Sequence, residues 1–266
     1  MGRRRGMKVT VLGCGGSGGV PLIGNNWGSC NPDNPKNRRR RVSVLVQHEG
    51  ANIVLDTAPD FRMQMLDANV GKLDAILYTH DHADHTQGID DVRFMRGPDK
   101  SQRIPAYGAA DTLRTLTERF AYIFAQNTEG SGHLYRPFLE PKTVEGPFQI
   151  CGLDVTPFQQ DHGFGSKTLG YRIGPMAYST DAVDLPEEAF DILQGLDLWI
   201  VDCLRFEPHM THAHFDKAIG WIKRLKPKHA ILTHLNHQTD YDAVKAKCPP
   251  GVEAGYDGLS VEISPA

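Results

Sequence analysis

The 266-residue sequence predicts an α/β fold in which helices cover the faces of mixed sheets. Short apolar runs with period-two alternation recur along the chain, and helical patterns lie interspersed between them. No internal repeat or low-complexity linker divides the sequence, so a single domain over 1–266 is expected.

The elements follow in order. Lys8 to Leu12 (KVTVL) alternates and runs into the glycine-rich GCGGSGG. Val42 to Val46 and Ile53 to Leu55 flank EGAN, the pattern of a hairpin. Ala75 to Tyr78 (AILY) is a short buried strand that leads directly into THDHADH. Further strands are expected at Leu153 to Pro157, Leu169 to Ile173, Met176 to Tyr178, Leu198 to Val201, Ala230 to Leu232 and Leu259 to Ile263. Helical spacing marks Ala109 to Phe124, Pro186 to Leu193 behind a cap at Asp184, and Phe215 to Leu225. Gly13, Gly15 and Gly18 imitate a dinucleotide fingerprint, but Gly19-Val20-Pro21 breaks the helix that fingerprint must open. Asp33 lies in the turn NPDNP rather than at the end of a second strand. A tight glycine loop of close approach is the better reading.

A net charge of -3 gives no overall attraction to nucleic acid or anionic membrane. Arg3, Arg4 and Arg5 read as a solvated tail, whereas Arg38 to Arg41 enters a strand-like segment and leaves an anion-facing role open. No apolar run approaches the ~20 residues of a membrane span, and the start lacks the pattern of a secretory signal. The five cysteines show no paired spacing, which points to a reducing compartment and a cytoplasmic protein.

The segment THDHADH, residues 79–85, carries the chemistry. His80 and His82 share one side of an extended backbone and can reach one ion. Asp84 and His85 lie where the chain must turn before Gly88 and aim elsewhere, so two ions fit better than one. A solvated polar turn is the bland alternative, but it does not explain such ligand chemistry directly after a buried strand. A catalytic pair of ions needs more nitrogen and oxygen ligands, with positions left open for water. His162 after LDVTPFQQD, Asp181 after MAYST and His234 after HAILT stand where His80 stands, at the outgoing end of an apolar run.

THDHADH resembles the H-x-H-x-D-H signature of the metallo-β-lactamase-fold hydrolases. His162, Asp181 and His234 follow in the order of that family's remaining motifs, and Asp56 in VLDTAPD fits its first. The branch typified by the phosphonate-pathway cyclic phosphodiesterase is most similar, through GCGGSGGVP, NPKNRRRRVS, HTQGIDDVR, YSTD, PHMTHAHF and LTHLNH. The resemblance implies an αββα sandwich with its site along one edge. It implies two divalent ions, Zn or Mn with Fe as a further option: His80, His82 and His162 on one, Asp84, His85 and His234 on the other, Asp181 between them. It also puts His212 at the position of a general acid that meets the substrate. That branch carries a cysteine-rich structural zinc site as well. Cys30 and His237 alone cannot close one, and it is expected to be absent.

The expected function is a dinuclear phosphodiesterase acting on a small phosphodiester or nucleotide, in which hydroxide attacks phosphorus while the metals neutralise charge. His212 would protonate the leaving alkoxide; the bland reading makes the histidines helix-entry residues, with His214 capping and His209 exposed. Asp81 should point away from the metal of its neighbours in a supporting role. Arg62, Asp90, Asp91 and Arg93 could bind substrate or pair with one another, and Met63, Met65 and Leu66 read as packing. A β-lactamase, a glyoxalase II-like thioesterase, a tRNA 3′-processing endonuclease and a non-enzymatic sensor share parts of the pattern. The endonuclease needs a long basic arm, and Pro137 to Pro147 is short and nearly neutral. Neither a membrane nor a long nucleic acid is expected as partner, and a homodimer is left open.

Overall fold

Apolar residues at both parities of the strand runs require cover on both sheet faces, and the architecture supplies it. The computed structural model describes residues 6–95, 102–124 and 137–264. Among them, two seven-stranded sheets face each other. Numbered in chain order, the first runs β14 (Ser260–Ile263), β1 (Met7–Gly13), β2 (Ser43–His48), β3 (Ala51–Leu55), β4 (Ala75–Leu77), β5 (Ile104–Gly108), β6 (Leu139–Thr143). The second runs β13 (Val252–Ala254), β12 (His229–Thr233), β11 (Leu198–Asp202), β10 (Met176–Ser179), β9 (Lys167–Ile173), β8 (Leu153–Asp161), β7 (Phe148–Ile150). In each sheet an antiparallel half adjoins a parallel half, the change falling at β3 and at β10.

Strand alternation sorts the core into three layers. Val44, Val46, Ile53 and Leu55 meet Leu198, Ile200, Tyr171 and Ile173 between the sheets. Their neighbours Leu45, Val54 and Ile76 turn outward to α1 (Phe61–Asp67) and α3 (Ala110–Arg119). Trp199, Val201 and Leu232 turn outward from the other sheet toward α5 (Glu187–Ile192), α6 (Phe215–Leu225) and α7 (Tyr241–Lys247). Helix α6 shows why: Phe215, Ala218, Ile219, Ile222 and Leu225 form one apolar stripe, and Lys226 ends the helix in the left-handed conformation (φ 50°). This is the αββα sandwich.

The structure corrects several expectations. The helix expected over Ala109 to Phe124 breaks at Phe120 (φ -122°, ψ 44°) into α3 and a short α4 (Ala121–Phe124). Helix α5 starts at Glu187 without a side-chain cap; Asp184 instead accepts the Leu185 N–H and pairs with Lys217. Strands β5, β6, β7 and β13 were not anticipated: LEPKT and VEA carry too little apolar alternation to announce strands at sheet edges, and β5, although interior, is only five residues (IPAYG) with a proline and a terminal glycine. EGAN does turn as a hairpin, with Glu49 and Gly50 at φ 49° and 85°. All five cysteines are free, and no described helix is long and apolar enough to cross a membrane. Arg3, Arg4 and Arg5 lie outside the described residues.

Trp199 is fully buried and its indole N–H donates to Ser179 Oγ at 2.9 Å. Trp199→Ala should cost about 3–5 kcal/mol in denaturant unfolding, and Trp199→Phe clearly less. A loss below about 1 kcal/mol for the alanine variant would contradict this packing.

Candidate metal centre

Strand ends deliver the chemistry. His80 follows β4, Asp181 follows β10, His234 follows β12, His162 follows β8, and Asp202 is the last residue of β11. Asp56, Asp181 and His234 each leave their strand at positive φ (61°, 54° and 59°), a strained turn that aims the side chain across the sheet edge. After His82 the chain closes one turn, α2 (Ala83–Thr86), with the Thr86 hydroxyl donating to His82 O. That turn swings Asp84 and His85 away from the side used by His80 and His82.

Three groups of candidate ligands result: Asp202, His212 and His234 form one, and the other two share Asp181. Its Oδ1 lies 3.9 Å from His80 Nε2 and 3.8 Å from His162 Nε2, with the His82 ring 4.4 Å from that of His80. Its Oδ2 lies 3.1 Å from His85 Nε2 and 3.4 Å from His234 Nε2. Asp84 Oδ2 completes the second group, 3.4 Å from His85 Nε2 and 3.8 Å from His234 Nε2. Within each cluster the candidate ligand atoms lie within 4.8 Å of one another.

The donor set suits divalent cations. The Nε2 atoms of His80, His85 and His234 are buried and make no directed hydrogen bond. Burying imidazole nitrogens unpaired is costly unless something binds them. The other nitrogens of His80 and His85, and that of His162, are occupied: His80 Nδ1–H donates to Thr79 Oγ1 (3.0 Å), His85 Nδ1–H to Asp56 Oδ2 (2.7 Å), and His162 Nδ1–H to Thr211 O (2.8 Å), whereas His234 Nδ1 is itself unpartnered, 3.9 Å from Asp202 Oδ1. Each partner selects the tautomer whose Nε2 lone pair faces the centre.

A model of the beta-lactamase superfamily domain matches residues 51–235, which take in every strand and turn of this centre. The chain belongs to the metallo-β-lactamase superfamily. A diphosphatase of the PhnP family is similar over 98% of this chain and 99% of its own, at 36% identity and a TM-score of 0.90, so this metallo-β-lactamase-fold chain lies near that branch. Zinc-bound PqqB from Methylobacterium extorquens shares the fold at 18% identity, 96% and 99% coverage, and a TM-score of 0.74. An octanoyltransferase of Porphyromonas gingivalis is 33% identical over 260 residues, 97% of this chain and 52% of that protein. The chain spans about half the length of the curated relatives it matches.

In this superfamily member the supporting shell is as ordered as the clusters. Asp56 accepts the Thr79 N–H and hydroxyl, both at 2.8 Å, so one buried carboxylate steadies the residues on either side of the H-x-H-x-D-H segment. Burial raises the Asp56 carboxyl. Gly88 completes this region: its N–H donates to Thr57 O, and a Cβ there would stand 2.1 Å from Ala58 O. The glycine loop after β1 is a loop of close approach, as expected. Leu235 N–H donates to Cys14 O and Gly16 N–H to Leu235 O, stitching the two sheets together beside His234. A cleft of about 240 Å³ between this loop and the His209–His212 segment opens onto the centre.

All seven clustered residues and His212 thus come together. His212 Nε2 is 3.9 Å from Asp181 Oδ1, and its Nδ1 is 3.0 Å from Asp202 Oδ2. Asp202 was missed, although it closes the apolar run LWIVD as His80 closes AILYT. Thr79, Thr211 and Arg119 were missed for want of any local signal. Asp81 points outward, and its carboxylate and carbonyl both engage Arg119. His209 is half-buried rather than exposed, its Nδ1 accepting from Thr211 N–H. His214 stands before α6 but makes no capping bond. Asp90 pairs with Arg93 and accepts from Tyr122. Cys30 faces the Arg39 guanidinium at 3.9 Å, on a loop bonded to His237 through Ser29 N–H.

Burial holds His80 and His162 below the usual imidazole range. Burial opposes charge on His85 and His234 too, but Asp181 and Asp84 outweigh it; His85 is raised, and His234 is pushed up to about 9. Without metal, protons on these two rings balance the carboxylates. Because the folded His234 value exceeds its usual 6.5, its stabilisation is complete below pH 6.5 and is lost as pH rises through about 9. His80 and His162, being depressed, act only below 6.5, and Asp257, raised by burial to about 6, also acts lower. Metal-free protein should therefore lose stability between pH 7 and 9, on the order of 2 kcal/mol for His234. Denaturant melts of chelator-treated protein that stay flat across that window would sink this account.

Proposed function

We propose that this hydrolase cleaves a small phosphodiester with two divalent cations, Zn or Mn with Fe also compatible, in one domain spanning 1–266. The observation that carries the reading is the division of Asp181, one oxygen to each histidine cluster. In this reading His80, His82, His162 and Asp181 would hold one ion, and Asp84, His85, His234 and Asp181 the other. Ions so held would supply an acidified water and neutralise charge on phosphoryl oxygens.

The chain's own residues do the rest. His212 lies at the rim, its side chain 11% exposed, within reach of both the clusters and the 240 Å³ cleft. Its Nδ1–H points to Asp202, itself held by the Ala182 N–H at 2.9 Å. A proton on His212 Nε2 is therefore aimed at the departing alkoxide, and the neutral ring left behind keeps its bond to Asp202. The size of the cleft favours a small molecule, and the diphosphatase relative supports chemistry at phosphorus. Five free cysteines fit a reducing, cytoplasmic setting.

With bis(p-nitrophenyl) phosphate as substrate, His212→Ala should keep two metals by elemental analysis and lose at least about 100-fold in kcat. Asp202→Asn, which only positions His212, should lose about tenfold. Wild-type turnover by His212→Ala removes that residue from the mechanism. Cleavage of glutathione thioesters or nitrocefin, with phosphodiesters left intact, would replace the phosphodiesterase reading.

A further inference from the structure

The turn between β8 and β9 carries a cost that packing does not return. Gly163, Phe164 and Gly165 follow one another at φ 79°, 52° and 78°, three successive left-handed residues. Glycine adopts that conformation freely, whereas a bulky L side chain is strained in it. Phe164 is 82% exposed, so the strain does not serve to bury its ring. The turn is nonetheless held firmly. His162 N–H donates to Ser166 O and Ser166 N–H to Gly163 O, both at 2.9 Å, and the Asp161 carboxylate accepts the Gly163 N–H at 2.8 Å. Strain kept in place with no packing in return points to a use outside the fold.

A second exposed apolar side chain lies beside this turn. A Cβ on Gly163 would stand 2.3 Å from Met210 O, and His162 Nδ1–H donates to Thr211 O, so the segments 162–165 and 209–212 are clamped together. Met210 is 70% exposed. The His162 and His212 rings meet edge to face with centres 5.0 Å apart, and Phe164 and Met210 each stand two residues from one ring of that pair. Apolar side chains scattered singly over a surface are ordinary, but two on adjoining segments beside a reaction site make a patch. Phe164 also walls a cleft of about 470 Å³ together with Leu185 and Pro186.

We propose that Phe164 and Met210 form an apolar platform for the leaving group: the substrate is a phosphodiester whose departing alcohol carries an aromatic ring that stacks on Phe164. The inference rests on the phosphodiesterase reading and narrows it on the leaving-group side. His212 protonates the departing alkoxide, so the alcohol lies on the side of the site that Phe164 and Met210 flank. A ring held out on a rigid turn loses little freedom when a second ring covers it, and aromatic pairs gain beyond the area they bury.

The test compares methyl benzyl phosphate with methyl ethyl phosphate, whose varied alcohols differ little in acidity, by following release of benzyl alcohol and ethanol. Wild-type kcat/KM should be about tenfold higher for the benzyl ester. Phe164→Asn, which a left-handed turn accepts, should bring the two esters level and raise Tm by about 2 °C. No preference in the wild type, or one that survives in Phe164→Asn, overturns the platform. So does a fall in Tm of several degrees, the mark of a packing residue. An equal advantage for methyl cyclohexylmethyl phosphate overturns the aromatic assignment. A wild-type dimer that Phe164→Asn dissociates assigns the patch to a second copy of the chain and overturns the proposal too. Calorimetry with benzyl phosphate against ethyl phosphate reads the platform without turnover. About tenfold tighter binding of benzyl phosphate, lost in Phe164→Asn, upholds it even if neither diester is cleaved; failed cleavage by itself counts against the phosphodiesterase reading.

Discussion

A buried carboxylate among five imidazoles is the constraint around which the rest is arranged. Asp181 is 2% exposed, and an isolated charge there would cost far more than a folded domain can spare. It is tolerated because Thr180 donates to Oδ2 at 2.7 Å and because His85 and His234 stand within 3.4 Å. The same crowding that makes Asp181 expensive alone makes it a bridge between two clusters. It also explains why the metal-free site holds protons on rings that burial would otherwise keep neutral: protons occupy the electrostatic place of cations.

Holding such a group needs rigid neighbours, and the sandwich supplies them. The turns at Asp56, Asp181 and His234 are strained, and each leaves a strand buried on both faces, where the cost is absorbed by packing. The sheets are also joined beside the site, through Cys14, Gly16 and Leu235. Asp56 and Asp202 play matching parts on opposite sides. One fixes His85 and the Thr79 backbone, and the other fixes His212 and the Ala182 backbone. In both cases a buried acid sets the tautomer of a histidine whose other nitrogen faces the centre.

The arginine run shows how a uniform sequence feature can divide its labour. Alternation along the strand-like segment sends Arg39 inward, where the Asn236 carbonyl, the Thr239 hydroxyl and the Asn37 side-chain oxygen receive it, while its neighbours meet Asp67, Asp60 and Trp27. All four border a cleft against the loop 18–25, but only Arg38 is exposed there.

Much of this protein was legible in its residues alone. The candidates at residues 80, 162, 181 and 234 follow from apolar runs that end in histidine or aspartate, because ligand chemistry and strand period are both local properties; the paired sheets, the edge location, the sharing of ligands between two ions and the part of His212 came from the family resemblance. Edge strands such as β6 and β13 escaped notice, since a strand that pairs on one side needs little alternation of its own. The fold alone decided the partnerships that span the chain: Asp56 with His85, Thr211 with His162, Asp202 with His212, Arg119 with Asp81. Those bonds depend on where distant strand ends and loops meet, and distance along a chain carries no record of distance across a sheet.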